Sequence, residues 1–597
     1  MNLRKYLCYL LFWIALPSQA VDEKKEKTEE KPSRSLQSAK YAVQVSAKVQ
    51  KKPAQITLQW PKTDCLSHVV YRRLFGEKRW NTTPAAVLKG DAVSFIDKKV
   101  KPGLQYEYRV DRFAAGYVGR SYICSGIELP LVEDRGGVLL LVEKSVAPDL
   151  ADELGQLNQD LIGDGWQVIR KDVHRDDSVE SVRKLIREIY QESKSKLQTV
   201  FLFGHIPVPY SGSINPDGHV NHLTAWPADL VYADVDGKWT DKETHKTFKP
   251  ENQKSAPDKL ANIPGDRKYD RDAIAPNSLE LEVGRVDLSD MPAFILSETE
   301  LLRRYLKKNH AFRQARVSTK ARGLIDDNFG AFSGEAFGWG GWSNFATFFG
   351  AGKTDDVDWF TTLPKTPYLW AYGCGGGSYA KAGGVGNTDD FAAKGSMAVF
   401  TMLFGSYFGD WNHSDNFMRA PLAADGNALT CAWDGRPHWF FHSMALGKNI
   451  GYCALRTQAN DYYGDYLGPD NTRLTMSGEN DDSEWDPNPI HVALMGDPTL
   501  RMHPVPPPTD FTSAKTDDGR LFTWKAPVGI KVASYLIYRA SSTDGPFQRV
   551  TKEPIKETQF LVQAKSEPGM VFMIKSYVKQ ISASGSYFNT SQGLLEN

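Results

Sequence analysis

Among the reactive side chains of this 597-residue sequence, the cysteine of the stretch Thr366 to Tyr379, TPYLWAYGCGGGSY, is the best placed to do chemistry. A short apolar run that stops at turn residues is the pattern of a buried strand in a parallel sheet, and open sheets of that kind bind ligands beyond the carboxyl ends of their strands. Cys374 falls at that edge. The glycines that follow leave room for a substrate, and the backbone N–H of Gly375 can face a developing oxyanion. These residues suit a thiol nucleophile attacking a carbonyl carbon. The alternative is a small packed residue at a strand end, because free cysteine is among the most buried residue types.

A thiol of pKa about 8.5 is mostly protonated at neutral pH, so such a nucleophile needs an imidazole to lower that pKa and later to protonate the leaving amine. His413, in FGSYFGDWNHSDNF, follows the next apolar run and sits among Asp410, Asn412 and Asp415, which could orient its ring. His205 ends the run VFLFG and so stands at the same kind of sheet edge as Cys374. His438, His442 and His491 lie among aromatic residues or at strand starts, where packed core histidines are the usual case.

The histidines show neither HxxxH nor HExxH spacing, which leaves a zinc enzyme without support, and no cofactor is required. A structural calcium ion is the alternative at Asp234, Asp236, Gly237 and Glu243, although Tyr232 stands where the first ligand belongs and a solvated acidic turn explains the same residues. The acidic cluster Glu479, Asp481, Asp482, Glu484 and Asp486 reads the same way. The aromatic run FGWGGWSNFATFF is either a glycan-stacking surface or, at helical spacing, core.

The surrounding elements follow from composition and pattern. Lys plus Arg and Asp plus Glu both number 72, and no basic patch interleaves with aromatic residues, so nucleic acid is not an expected partner. Residues 1–20, with Arg4 and Lys5 before an apolar core and a small-residue exit at Ser18-Gln19-Ala20, read as a secretory signal peptide. No later run is long enough to span a membrane. An exported chain with the five remaining cysteines, Cys65, Cys124, Cys374, Cys431 and Cys453, would leave Cys374 free if the other four paired in order. Residues 21–40 are charged and without periodicity, as in a disordered linker.

Residues 41–131 run as short alternating segments separated by turns, the pattern of an all-β sandwich, and residues 506–597 repeat it after the Pro-rich HPVPPPTDF. Between them, residues 135–503 alternate strand and helix patterns twice, which predicts two α/β halves with parallel strands, split near 290–320.

Two resemblances sharpen this outline. Trp60, Tyr71 and the Tyr106-x-Tyr108 pair, with the matched VVYRR and LIYRA strands of the second module, resemble fibronectin type III domains. The phrases VFLFGHIPVPY, PADLVYADVDGKW, LEVGRVDLS, GLIDDN and ALMGDPTLRMH occur in the order found in the gingipain-type cysteine peptidases, whose fold is related to that of caspases. That resemblance implies a caspase-like fold and an exported peptidase acting on polypeptides. In that family a histidine in a Gly-His-Gly turn works with a cysteine at the end of the following strand. The cysteine matches Cys374, whereas FFGAGKTDD places Ala351 between Gly350 and Gly352 where the histidine would stand. Hydrolysis through Cys374 and His413 is therefore one expectation. A catalytically inactive surface or periplasmic binding protein is another, and a transpeptidase that resolves an acyl-enzyme with an amine is a third.

Overall fold

The computed structural model describes residues 34–194, 196–214, 217, 224–242, 262–271, 279–332, 335–433, 438–460, 466–469, 491, 493–528, 534–563 and 569–596. The expected signal peptide, Glu243 and the acidic cluster from Glu479 to Asp486 lie outside these residues. The end of the expected linker does not: Arg34–Ala39 forms a helix, α1, with Ser35 and Ser38 buried. It is held by contacts with residues some 290 positions away rather than by an apolar face of its own.

Seven strands follow: β1 (Ser46–Gln50), β2 (Gln55–Gln59), β3 (Ser67–Leu74), β4 (Ala86–Lys89), β5 (Ser94–Asp97), β6 (Gln105–Ala114) and β7 (Tyr117–Leu129). They form two sheets, β1-β2-β5 and β7-β6-β3-β4, closing over Ile56, Leu58, Val70, Tyr108 and Val110. The alternation read from the sequence is the alternation of buried and half-buried residues along β2.

The centre begins with β8 (Gly137–Glu143), α2 (Ala151–Asp164), β9 (Gln167–Val173), α3 (Val179–Glu192) and β10 (Leu197–Phe203). A ribbon of β11 (Tyr210–Ile214) and β12 (Thr224–Pro227) and the short α4 (Leu230–Ala233) lead to β13 (Glu282–Val286). Every residue of β8 is buried, as in strands covered on both faces. Helix α3 starts where the Ser178 side chain accepts the Ser181 N–H, and it turns Val182, Ile186 and Ile189 inward at helical spacing.

The second series runs α5 (Glu298–Arg313), β14 (Gly323–Asp327), the ribbon β15 (Ala331–Phe332) and β16 (Glu335–Ala336), α6 (Trp339–Phe349), β17 (Thr354–Asp356), α7 (Trp359–Thr362) and β18 (Tyr368–Cys374). A small sheet of β19 (Gly377–Ser378), β20 (Lys381–Ala382) and β21 (Gly386–Asn387) precedes α8 (Thr388–Lys394), β22 (Ala398–Phe404), α9 (Ala420–Ala423), β23 (Thr430–Trp433), α10 (Ile450–Gln458) and β24 (Leu494–Gly496). Ser297 and Glu300 close a capping box at the start of α5. The aromatic run is α6, buried from Trp339 to Phe348, with its Ser343, Asn344 and Thr347 side chains hydrogen-bonded in the interior.

The two series share one ten-stranded sheet, in the order β17-β14-β18-β22-β23-β24-β13-β10-β8-β9. Strands are parallel within each series, and β24 runs parallel to β13 but antiparallel to β23. Chain direction therefore reverses at β23/β24, and the carboxyl ends of the two series leave the sheet at opposite edges.

The C-terminal strands are β25 (Thr509–Thr516), β26 (Gly519–Lys525), β27 (Ser534–Ala540), β28 (Gln548–Arg549), β29 (Gln559–Gln563), β30 (Val571–Ser582), β31 (Gly585–Thr590) and β32 (Leu594–Leu595). They repeat the first arrangement, β25-β26-β29 beside β28-β27-β30-β31. Strand β31 pairs in parallel with β7, so one continuous sheet joins the two ends of the chain.

Candidate functional site

Strand β18 lies between β14 and β22, with Asp327, Cys374 and Phe404 in register at their carboxyl ends. This register brings a carboxylate to the thiol. Cys374 Sγ donates to Asp327 Oδ1 at 3.0 Å, and the same oxygen accepts the N–H groups of Phe329 and Gly330 at 2.9 and 2.7 Å. The other oxygen accepts Ser38 Oγ at 2.7 Å and Gly338 N–H at 3.1 Å. Asp327 thus closes the turn after β14 and anchors α1 to it.

Helix α1 completes the cover. The Asp327 N–H donates to Ser35 Oγ at 3.2 Å, Trp342 Nε1 to the Ser35 carbonyl at 3.0 Å, and Arg34 Nη1 to the Asn328 carbonyl at 2.6 Å. Cys374 is fully buried. Burial first, and the Asp327 charge second, push its thiol well above the ordinary range. Both effects oppose a thiolate.

The Gly375 N–H donates to the Phe404 carbonyl at 3.1 Å, and a Cβ at position 375 would meet the Gly383 carbonyl oxygen at 1.9 Å, which explains the glycine. His413 lies in the loop after β22. Its ring stacks on Tyr379 with centroids 3.7 Å apart, and its Nε2 is 3.3 Å from Asp410 Oδ2. Phe417 N–H donates to the Tyr379 carbonyl, so the loops that follow β18 and β22 are packed together. Among the described residues, no imidazole nitrogen hydrogen-bonds the Cys374 sulfur.

His205 follows β10 and so stands at the edge opposite to Cys374. Its Nδ1 is 2.8 Å from Asp287 Oδ2 and 3.1 Å from Ser289 Oγ. Burial alone would raise the Asp287 pKa, but the hydrogen bond from His205 and the charges of Arg419 and Arg285 hold it well below the carboxylate range. Ala351 precedes β17, at the amino end of that strand, and β14 separates β17 from β18. A side chain at position 351 is therefore on the wrong edge to serve Cys374.

His442 Nε2 pairs with Glu107 at 2.7 Å, whereas the rings of His438 and His491 pack beside Trp339 and Trp226. All five described cysteines are free thiols. Asp234, Asp236 and Glu280 converge, with potential ligand atoms within 4.8 Å of one another. The Asp234 oxygens already accept Gly237 N–H and Trp239 Nε1–H, and the Arg183 guanidinium donates to the Asp234 and Gly237 carbonyls. That turn is filled by its own donors and carries a cation, so it fits a calcium ion poorly.

Two residues that sequence reading missed organise these sites, Asp327 and Asp287. Asp327 is the second aspartate of GLIDDN and ends its strand, and Asp287 is the residue just past the strand in VGRVDLS. Those positions are the only signal they offered.

No family model and no curated protein matches this sequence. Among solved structures, the Arg-specific cysteine proteinase gingipain R is 12% identical, with 78% of this chain and all of that chain covered at a TM-score of 0.42. The complex of the Porphyromonas gingivalis RgpB pro- and mature domains gives 12% identity, 76% and 100% coverage and the same TM-score. An Fn3-like protein from Clostridium thermocellum is 16% identical over 16% of this chain and 92% of its own, at a TM-score of 0.12.

Proposed function

We propose that this chain is an exported binding protein built on a cysteine-peptidase-like scaffold, and that it does not use Cys374 as a nucleophile. The observation that carries this reading is the thiol itself, buried, donated to Asp327 and without an imidazole partner among the described residues. The strand order supports it. The family resemblance calls for a histidine in a Gly-x-Gly turn and a cysteine at the end of the following strand. Here the Gly-x-Gly phrase at a strand end is Gly373-Cys374-Gly375, and the next strand of the ten-stranded sheet, β22, runs out at Phe404 before Gly405-Ser406. Cys374 then stands in the place of the histidine and Ser406 in the place of the nucleophile, so both reacting groups are exchanged.

The two terminal modules act as fibronectin type III-like sandwiches in this reading. Their strand orders match each other, and the Tyr106 hydroxyl accepts the Lys101 N–H at 3.0 Å at the start of β6, as in the tyrosine corner of such folds. Export rests on residues 1–20, and the ligand is a polypeptide or another surface molecule.

A second reading keeps the peptidase, with Cys374 as nucleophile and His413 as base; the expected roles of His205 and Gly375 do not carry over, because His205 leaves the opposite edge and the Gly375 N–H is taken by the Phe404 carbonyl. The packing of His413 on Tyr379, in the loop that leaves Cys374, favours His413 as that base. The test is hydrolysis of a mixed fluorogenic peptide library by the full chain and its Cys374→Ser variant. The binding reading expects the same background rate from both. Turnover that Cys374→Ser abolishes would establish the peptidase instead.

A further inference from the structure

Helix α5 carries a second feature, away from Cys374. Its sequence sets Glu300, Arg303, Arg304, Lys307 and Lys308 at helical spacing on one face. That face and the Gly426-Asn427 turn line a cavity of about 480 Å³. Four cations thus meet one carboxylate in its wall.

The hydrogen bonds show which charges are balanced. Arg303 Nε lies 3.2 Å from Glu153, and Lys307 reaches the same carboxylate at 4.0 Å. Arg304 Nη1 donates to the Ala423 carbonyl at 3.1 Å, and Lys308 Nζ to the Leu422 and Ala424 carbonyls at 2.9 Å each. These carbonyls end α9 and offer partial charge only. Among the described residues, neither Arg304 nor Lys308 has a carboxylate within 4.0 Å. Asp425 is nearby, but its carboxylate accepts the Gly426 N–H. Burial first, and the Arg304 charge second, bring the Lys308 pKa down to about 7, as happens to an ammonium group short of a counter-charge. Two carbonyls also leave the third N–H of that ammonium to spare.

We propose that this cavity binds a tetrahedral oxyanion, phosphate or sulfate, free or as an ester, held between the Arg304 guanidinium and the Lys308 ammonium. A guanidinium fork matches two oxygens of such a group, and an ammonium supplies a point charge to a third. The cavity is larger than the anion alone, which leaves room for the organic part of an ester.

Calorimetric titration of the full chain with inorganic phosphate and with inorganic sulfate, at 150 mM NaCl, tests the site. Saturable binding at one site is expected, weakened roughly tenfold or more in Arg304→Gln and in Lys308→Gln. Co-sedimentation with phosphatidylglycerol vesicles separates the sources: vesicle binding lost in both variants assigns the site to a lipid headgroup, and binding of the free ions alone assigns it to a soluble ligand. Melting curves of the variants establish that they are folded, and Arg304→Gln serves if Lys308→Gln is not. Absence of both kinds of binding, or binding equal in wild type and folded variants, overturns the proposal.

Discussion

Replacing Asp327 by alanine lowers stability by about 3–5 kcal/mol, because it removes the acceptor of five buried or half-buried donors at once. Three are backbone N–H groups of Phe329, Gly330 and Gly338, one is the Ser38 hydroxyl and one the Cys374 thiol. A buried donor left without an acceptor costs about 1–3 kcal/mol, and water admitted to the alanine cavity recovers only part of the sum. Asp327→Asn keeps one acceptor oxygen but turns an N–H₂ group toward donors, so its loss is smaller, about 1–3 kcal/mol. Urea unfolding of the two variants beside wild type measures both. An alanine variant within 1 kcal/mol of wild type would show that Asp327 does not organise this edge.

The second large effect lies between the N-terminal sandwich and the α/β centre. Glu107 accepts Arg73 Nε at 2.6 Å, Tyr466 OH at 2.8 Å and His442 Nε2 at 2.7 Å, with Arg73, Glu107 and His442 all buried. Burial raises the Glu107 pKa, but the hydrogen bond and charge of His442, then those of Arg73, outweigh it and bring the value down to about 2. An unfolded glutamate titrates near 4.3, so the folded pKa is the lower one. The network's stabilisation is therefore fully present above about pH 4.5 and is lost as pH falls from there toward 2, roughly 3 kcal/mol in all. Glu107→Gln flattens that acid limb of the stability curve. Glu107→Ala takes the carboxylate away from the buried Arg73 guanidinium, which keeps its bond to the Lys78 carbonyl, and costs about 3–5 kcal/mol at pH 7. Thermal unfolding between pH 3 and 7 reads both variants, and an unchanged acid limb in Glu107→Gln would assign the acid loss to other groups.

Much of the central sheet was legible because its strands are written as unbroken apolar runs. GVLLLVE and YLWAYGC are strands for the same reason that they are buried on both faces, and the glycines after Cys374 announced a strand end. The reversal at β23/β24 was not legible. It depends on Leu494–Gly496 entering the sheet from far along the chain, and nothing within three residues encodes the direction of its neighbours. For that reason His205 looked equivalent to Cys374 although the two leave opposite edges.

The covering of the thiol was hidden for a similar reason. Asp327 meets Cys374 through register between strands 47 residues apart, and α1 is a six-residue helix whose buried side chains are serines. Hydrophobic periodicity carries no trace of either. Ala351 misled in another way: a Gly-x-Gly phrase fixes a local turn, but not which end of a strand it occupies.

Alkylation of the native chain by iodoacetamide, located by peptide mapping, tests the central claim most directly. At pH 8 the half-exposed Cys65 reacts, whereas Cys374 stays unmodified while free cysteine in solution goes to completion, a rate lower by about 100-fold or more. It reacts only after denaturation. Rapid, selective modification of Cys374 near pH 6 would contradict the account, since it requires an exposed thiolate beside a cationic partner and would return the protein to the cysteine peptidases.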